Sequence, residues 1–359
     1  MNGKPLAKPN TLTSTSQKTE RVATIHPQKL HYIQENVTPG FSRKRVRGKF
    51  RYLDEDGQCI QCEQHLARIA GLKIPPAWQS VWICPHPHGH IQATGRDAKG
   101  RKQYLYHAEW RVLREARKYE HMLAFGAQLP LIRQQVDKDL KAPGLGRQKV
   151  LAMMVYLLEN TLIRVGNDAY AKSNQSFGLT TLRHRHVVIE SSEVRFHFRG
   201  KSGVMHRIRL HDRRLARMLR HLRELPGQAL FQYVDEHGEQ HAIGSTDVNE
   251  YLRQVTGEDI TAKDFRTWFG SLHVLQALSE CPPCSNETEG KKNVVEAIRL
   301  AASKLGNTPA ICRNSYVHPY IIDSYLAGRE WNMPGQHTED GWPALSTAEQ
   351  SMLRLLQQR

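Results

Sequence analysis

Two hydrophobic patterns divide the chain. Short runs rich in aromatic and aliphatic residues, such as Phe50–Leu53, Val81–Ile83 and Gln103–Tyr106, are typical of β-strands, and Glu63–Ala70 between them predicts a short helix. From His107 onward, apolar residues recur at every third or fourth position, as on one face of a helix. The pattern therefore predicts an α+β protein, with a small strand-bearing region followed by a mainly helical one.

The helical region contains one predicted interruption. Three alternating runs predict a small three-stranded sheet, with residues 200–203 as a hairpin turn: His186–Ile189, Val194–Phe198 and Val204–Leu210. The strongly apolar helix Val150–Val165 is expected to stop at Gly166, and Thr308-Pro309 predicts the start of a helix Pro309–Leu326. Further helices are predicted over Asp247–Val255, Thr261–Ser279 and Lys291–Leu305.

The length of 359 residues favours two domains, at about 100–200 residues per domain. Residues 1–27 are rich in Ser, Thr, Lys and Pro and poor in acids, which predicts a disordered basic tail. The predicted order is a tail (1–27), an N-terminal α+β domain (28–110), a hinge (111–116), a catalytic domain (117–335) and a C-terminal tail with a helix (336–359).

Charge indicates the partner. The formal net charge is +16, and residues 183–223 alone hold twelve Lys and Arg against three acids. Residues 41–51 add six basic residues and no acid, which suggests a phosphate-contacting arm on a loop. The longest uninterrupted apolar run is the nine residues Val150–Leu158, far short of the ~20 that a membrane-spanning helix needs. The charge thus favours nucleic acid as the partner, with an anionic membrane surface second, and we predict no membrane partner.

Several common chemistries have no motif here. The chain has no P-loop, no dinucleotide-binding glycine motif and no zinc-protease motif. Cys59/Cys62 and Cys281/Cys284 form two Cys-x-x-Cys pairs that lie too far apart for a usual zinc site, so plain loop thiols are favoured. The loop Cys84–His90 has metal-binding residue types, but its prolines favour a structural loop. No metal and no cofactor are predicted.

Without these motifs, any catalytic chemistry must come from other side chains, such as basic residues, a tyrosine hydroxyl and an asparagine amide. Five positions form a suggestive series along the catalytic half: Arg164, Lys201, Arg266, Asn307 and Tyr316. Each has a bland alternative, such as a helix cap for an arginine, a turn residue for the asparagine, a solvated hairpin tip for the lysine or a core aromatic for the tyrosine. The residues alone leave those alternatives open.

Five motifs in order resemble the type IB DNA topoisomerases, in particular the compact bacterial branch related to the poxvirus enzymes. They are IPPAW at 74–78, GHIQATGRDAKGRKQY at 89–104, SFGLTTLRHRHV at 176–187, FRGKSG at 198–203 and TAKDFRTW at 261–268. The resemblance covers nearly the whole chain from about residue 40. It implies the catalytic-domain fold that these enzymes share with tyrosine recombinases, and a protein that clamps duplex DNA.

The resemblance also implies roles. Tyr316 matches the nucleophile that forms a 3′-phosphotyrosyl link, Arg164 and Arg266 match cations that stabilise the transition state, and Lys201 matches the donor of a proton to the leaving 5′-oxygen. The poxvirus and eukaryotic enzymes have His where this chain has Asn307, so the role expected at that position is hydrogen-bond donation only. DNA contacts are implied, more weakly, for Gln103, Tyr104, Tyr106, Tyr170, Lys172 and Lys263.

The reaction that the family catalyses relaxes supercoiled DNA without ATP or metal. We therefore expect a monomeric cytoplasmic enzyme associated with the nucleoid. Two alternatives remain at this stage. A tyrosine recombinase usually has His-x-x-Arg where this chain has Lys263-Asp-Phe-Arg266, and it has a helical rather than strand-bearing N-terminal half. A non-catalytic architectural DNA-binding protein would share the charge but would not need the five positions.

Overall fold

The structure is a computed structural model that describes residues 30–35, 37–282, 284, 286–329 and 343–358, without the side chains of Ala169 and Tyr170. The predicted tail 1–27 and the first part of the predicted C-terminal tail lie outside the described residues. The chain forms two compact units, Met1–Glu115 and Ala116–Arg359. Residues 111–116 lie within one continuous helix, α2 (Ala108–Lys141), so a hinge there stays a prediction.

The first unit contains a five-stranded antiparallel sheet in the order β2-β1-β3-β4-β5, with the predicted short helix α1 (Glu63–Gly71). Its small core includes Phe41, Ile69 and Ile83. The strands are β1 (Phe41–Val46), β2 (Lys49–Leu53), β3 (Gln79–Ile83), β4 (Ile91–Arg96) and β5 (Lys102–Tyr106).

The basic stretch 41–51, predicted as a loop, is a β-hairpin instead. Ser42 pairs with Leu53 and Val46 with Lys49, and the turn between the strands places Arg47 and Gly48 at positive φ. The strand predicted at Phe50–Leu53 is present as β2, whereas the pattern of β1 is hidden because cations occupy half of its positions and only Phe41 in it is buried. The cations accordingly belong to a two-stranded ribbon.

The second unit is mainly helical, which confirms the predicted α+β class. Its helices after α2 are α3 (Arg147–Thr161), α4 (Asp168–Asn174), α5 (Arg213–Glu224), α6 (Ser245–Thr256), α7 (Ala262–Ser279), α8 (Glu287–Leu305), α9 (Pro309–Tyr316), α10 (Pro319–Leu326) and α11 (Thr347–Gln357). The predicted antiparallel sheet is present as β6 (Val187–Glu190), β7 (Glu193–Arg199) and β8 (Met205–His211). A small hairpin of β9 (Gln232–Val234) and β10 (Gln240–Ala242) was not predicted.

The apolar helix α3 ends earlier than its composition predicts. It stops at Thr161, and Leu162 adopts a left-handed conformation with φ 54°. The Thr161 hydroxyl accepts a hydrogen bond from Ile163 N, which stabilises the turn. Hydrophobicity continues through Val165, so the pattern cannot show this end. Arg164 therefore lies beyond the helix, in an irregular segment.

The predicted helix Pro309–Leu326 is two helices. Helix α9 ends at Tyr316, and α10 begins at Pro319. A proline disfavours helical geometry at the preceding residue, and His318 is accordingly extended, with ψ 123°. The break places Tyr316 at the C-terminal end of a short helix.

The core of the second unit is centred on α7, whose side chains are buried on nearly every face. The C-terminal helix α11 joins this core through Arg133 of α2. The Arg133 guanidinium donates to Glu349 on α11, with N–O distances of 2.7 and 3.1 Å, and to Glu159 on α3, at 2.6 and 2.9 Å. Within the described residues, no helix is both long and apolar enough to cross a membrane.

Candidate active site

Arg266 is the most deeply buried of the five candidate residues. It lies in the second turn of α7, whose start is fixed by a bond from Thr261 N to the Asp264 carboxylate at 2.8 Å. Its side chain is 3% exposed. One terminal nitrogen donates to Leu162 O, and the other donates to Leu305 O at 2.8 Å. Arg266 thereby ties the chain just after α3 to the end of α8.

The environment of Arg266 is also electrostatically unusual. Burial, and next the charge of Arg164, lower the pKa of Arg266 to about 10, so it remains protonated at neutral pH. Its Nε–H has no hydrogen-bond partner within the part of the chain that the structure describes. A buried guanidinium with an unused donor can bind an anion that enters the site.

Hydrogen bonds to its own backbone and to that of the next residue fix the position of Arg164. Leu179 N donates to Arg164 O at 2.8 Å, and Thr180 N donates to Val165 O at 2.7 Å. These bonds fix the irregular segment that follows α3. The Arg164 side chain donates from Nη2 to Oδ1 of Asn307, so the two candidate residues contact each other directly.

Asn307 lies where α8 gives way to α9, as predicted from the sequence. Its backbone N donates to Ala302 O at 2.9 Å. Because arginine can only donate, the Asn307 oxygen must face Arg164, which leaves the amide Nδ2 as the free end. Among the described residues, Nδ2 has no acceptor although it is buried. The site therefore holds an unused amide donor beside Arg164.

Tyr316 lies against Arg266. The guanidinium carbon is 4.9 Å from the centroid of the tyrosine ring. Burial by itself would raise the pKa of the Tyr316 hydroxyl, but the charge and hydrogen bond of Arg266, followed by the charges of Arg164 and Lys201, outweigh it. The pKa of Tyr316 is consequently lowered from its ordinary value. This environment favours the phenolate, which is the nucleophilic form.

Three consecutive carbonyls at the end of α9 are capped by side chains. Ser315 O accepts from Lys118 Nζ, Tyr316 O accepts from Ser271 Oγ at 3.0 Å, and Val317 O accepts from Tyr119 OH at 2.9 Å. The last carbonyls of a helix have no partner within the helix, so these bonds fix the backbone of Tyr316. No motif in the sequence predicted these three caps.

Lys201 stands on the turn between β7 and β8. The turn is a single short 3₁₀ segment, Lys201–Gly203, in which Ser202 has φ 61°. The Lys201 side chain is exposed, and its ammonium makes no hydrogen bond with any described residue. Lys201, Arg164, Arg266 and Tyr316 line one cavity of about 340 Å³, whereas Asn307 reaches them through its bond to Arg164.

The weaker DNA-contact candidates of the second unit are less tightly grouped. Lys263, at the start of α7, is exposed and lines the same cavity as Arg266. Lys172 is exposed on α4, away from that lining. Tyr170 is also on α4, and its side chain lies outside the described atoms.

In the first unit, strand β5 places its candidates on two faces. Tyr104 and Tyr106 are exposed, with ring centroids 6.0 Å apart in a stacked arrangement. Gln103 faces the other way, because successive strand residues alternate, and its Nε2 donates to Asp97 at 2.9 Å. The structure thus brings the two tyrosines together and separates Gln103 from them.

The loop Cys84–His90 is organised by hydrogen bonds. Gln92 Nε2 donates to three carbonyls of this loop, those of His86, Pro87 and Gly89, at 3.2, 3.0 and 2.8 Å. Across the described ranges, the one group of three possible metal ligands is Asp235, Glu239 and His241, on the β9–β10 hairpin. All six cysteines have free thiols.

Comparison with known proteins agrees with this architecture. Residues 107–327 match the family described as eukaryotic DNA topoisomerase I, catalytic core, and residues 49–97 match the bacterial DNA topoisomerase IB N-terminal domain. DNA topoisomerase 1B of Acanthamoeba polyphaga mimivirus is 32% identical over 309 residues, which is 84% of this chain and 92% of the viral protein. DNA topoisomerase 1B of vaccinia virus (strain Copenhagen) is 27% identical over 275 residues, which is 76% of this chain and 83% of the viral protein.

The mainly helical second unit and the matches over residues 107–327 and 49–97 define an enzyme that acts on DNA. The chain belongs to the type IB DNA topoisomerase family. It is thus an isomerase that relaxes supercoiled DNA, which confirms the function expected from the motifs.

Proposed function

We propose that relaxation proceeds through Tyr316 as the nucleophile. Its phenolate oxygen attacks a backbone phosphorus, and the bond from phosphorus to the 5′-oxygen breaks. The enzyme is then joined to the 3′-phosphate, and the strand with the free 5′-hydroxyl rotates about the intact strand. Attack by that hydroxyl on the phosphotyrosine reverses the step and restores both the DNA and the tyrosine.

Arg164, Arg266 and Asn307 stabilise the charge that develops on the non-bridging oxygens. The support is that two guanidiniums lie on the Tyr316 cavity and that two buried donors, Arg266 Nε and Asn307 Nδ2, lack acceptors among the described residues. Donors that are already in place before the reaction require no rearrangement as charge develops, which is the main source of electrostatic catalysis. Asn307 cannot titrate and acts as a donor only.

Lys201 protonates the leaving 5′-oxygen. An alkoxide is a poor leaving group, so a positioned ammonium accelerates the cleavage of the phosphorus–oxygen bond. Lys201 lines the same cavity as Tyr316, and its ammonium makes no hydrogen bond to the described residues, so its protons are available to the DNA. In religation, the resulting neutral amine takes the proton from the attacking hydroxyl.

The reaction needs neither ATP nor a metal ion, because transesterification conserves the phosphodiester bond energy and the cations supply the charge. The enzyme acts as a cytoplasmic, nucleoid-associated monomer. Residues 28–110, linked by a hinge at 111–116 to the catalytic domain 117–335, grip the duplex. Phosphate and base contacts come from Gln103, Tyr104, Tyr106, Tyr170, Lys172 and Lys263.

The observation that carries this proposal is the convergence of Arg164, Lys201 and Arg266 on one cavity with Tyr316. The test is relaxation of positively and negatively supercoiled plasmids in EDTA without ATP. Wild-type protein should relax both, and Tyr316→Phe should relax neither while binding DNA as before.

The matched control is Tyr320→Phe. The Tyr320 hydroxyl, four residues on, accepts a hydrogen bond from Arg329 at 2.6 Å and is not part of the cavity lining. This variant should keep its activity. Relaxation by Tyr316→Phe would overturn the assignment of Tyr316 as the nucleophile. A strict need for Mg²⁺ in cleavage would overturn the proposal that the reaction is metal-free.

A further inference from the structure

His206 fills the space between two loops of the active site. It is the second residue of β8, and its ring stacks on Phe198 of β7, with centroids 4.9 Å apart and planes 10° apart. A Cβ placed on Gly200 would lie 2.6 Å from the His206 ring, and one on Gly306 would lie 2.5 Å from it. The ring is therefore packed directly against two glycine backbones, with Cδ2 nearest Gly200 and Cε1 nearest Gly306.

Those two glycines precede candidate catalytic residues. Gly200 is followed by Lys201, and Gly306 is followed by Asn307. No side chain larger than hydrogen fits at either position without displacing the ring, because the distances are far below an ordinary carbon contact. His206 thus sets the spacing between the Lys201 turn and the α8–α9 junction.

The Lys201 turn has few other constraints. Its backbone bonds are internal to the hairpin, such as Gly200 N to Val204 O at 2.8 Å and Gly203 N to Gly200 O at 3.1 Å. The adjoining strand is bonded to the Arg164 side of the site through Phe177 N, which donates to Arg199 O at 2.8 Å. Towards Asn307, the hairpin contacts Gly306 through the His206 ring.

The ring also fits this position electrostatically. Burial, and then the charges of Arg164 and Arg266, lower the pKa of His206 to about 4, so the ring is neutral at physiological pH. A neutral aromatic ring can lie close to two guanidiniums without repulsion, and its role here is one of shape.

We infer that His206 is a positioning residue that holds Lys201 at the distance from the scissile phosphate at which it can protonate the leaving oxygen. The inference rests on the proposed function of Lys201. It predicts a defect specific to proton donation, since Arg164, Arg266 and Tyr316 are fixed by bonds that do not involve His206. Although Asn307 follows Gly306, it is likewise fixed by its own bonds to Ala302 O and Arg164. Misplacement of a catalytic group by about 1 Å can cost ~10²-fold in rate.

The test compares two leaving groups in single-turnover cleavage of a duplex with one mapped cleavage site. One substrate has the natural bridging 5′-oxygen, and the other has a bridging 5′-sulfur, which departs as a thiolate without needing a proton because a thiol is far more acidic than an alcohol. The proteins are wild type, Lys201→Ala, His206→Ala and His206→Phe. The control is His197→Ala, an exposed histidine on β7 of the same hairpin.

His206→Ala should slow cleavage of the oxygen substrate by about 10- to 100-fold and leave the sulfur substrate close to wild type. His206→Phe keeps a flat ring between the glycines and should retain most activity, and His197→Ala should behave as wild type. Equal slowing of both substrates by His206→Ala would overturn the inference, as would an unchanged rate. If Lys201→Ala is itself not restored by sulfur, the proposed role of Lys201 fails instead.

Discussion

The helical side and the hairpin side of the Tyr316 cavity are built in different ways. On the helical side, Arg266 ties Leu162 O to Leu305 O, and three side chains cap the carbonyls around Tyr316. On the hairpin side, Lys201 extends from a three-residue turn with an exposed side chain.

The difference matches the work proposed for each side. Groups that stabilise a developing charge are most effective when they are already in place, and bonds to buried backbone atoms keep them there. In the proposed reaction the proton donor has to reach the leaving oxygen, and Lys201 does so from a short turn that packs on the His206 ring. Four predictions test this contrast, in order of decreasing effect.

Arg266→Lys should have the largest effect of the four. A lysine keeps the charge but cannot bond both carbonyls and the phosphate at once, so we expect cleavage to slow by at least about 10³-fold. The variant should also unfold more easily, by about 1–3 kcal/mol for each carbonyl left unpaired. Single-turnover cleavage and chemical denaturation measure the two effects. Wild-type stability together with lost cleavage would show that the carbonyl bonds are not structural.

Asn307→Ala should slow cleavage and religation by about 10²–10³, as expected for the loss of one transition-state donor. Asn307→His should retain substantial activity because an imidazole N–H can replace the donor. Asn307→Asp should be slower than Ala, since it adds a negative charge beside the phosphate. Pre-steady-state cleavage on a suicide substrate gives the rates. If the Ala variant cleaves as fast as wild type, Asn307 is only a linker between helices.

Lys263→Ala should weaken DNA binding rather than the chemistry. Lys263 lines the cavity rim and is exposed, so it can contact a phosphate. The logarithm of the binding constant falls with the logarithm of the salt concentration, and removing one phosphate contact should make this negative slope shallower by about 0.9. Binding titrations at several salt concentrations measure the slope. An unchanged slope would remove Lys263 from the DNA interface.

The smallest effect concerns stability below neutral pH. Burial and the nearby arginines lower the pKa of His206 to about 4, whereas the unfolded value is 6.5. The unfolded state therefore binds the proton more tightly, so the stabilising contribution is complete above pH 6.5 and is lost as the pH falls towards 4. His206→Phe should show a shallower loss of melting temperature over this range than wild type. His186 and His273, whose pKa values are lowered to about 4 chiefly by burial, should still contribute.

On the helical side, the sequence predicted where helices begin better than where they end. The hydrophobic period identified α7, and the Thr308-Pro309 signal identified the start of α9, because both depend on local chemistry. The end of α3 at Thr161 and the break after Tyr316 were missed. The first depends on a left-handed Leu162 whose carbonyl binds Arg266, a contact 104 residues away in sequence that no local pattern encodes.

On the hairpin side, the sequence predicted the secondary structure well but did not predict the contact between His206 and Gly306. Alternation identified β7 and β8, and the glycines identified the turn at Lys201. The packing of His206 against Gly306 joins residues that are 100 positions apart, and the sequence shows only a histidine on a strand. Lys118 and Ser271 were missed for the same reason, since a lysine on a helix and a serine in a core have no pattern of their own.

The central claim is that the transient covalent bond to DNA is made by Tyr316. The most direct measurement is to trap wild-type protein on a suicide duplex, digest the adduct with a protease and a nuclease, and identify the modified residue by mass spectrometry. A nucleotide 3′-phosphate should be attached to Tyr316, with none on Tyr320 or Tyr325. Attachment to another residue, or a 5′-phosphate linkage, would contradict it.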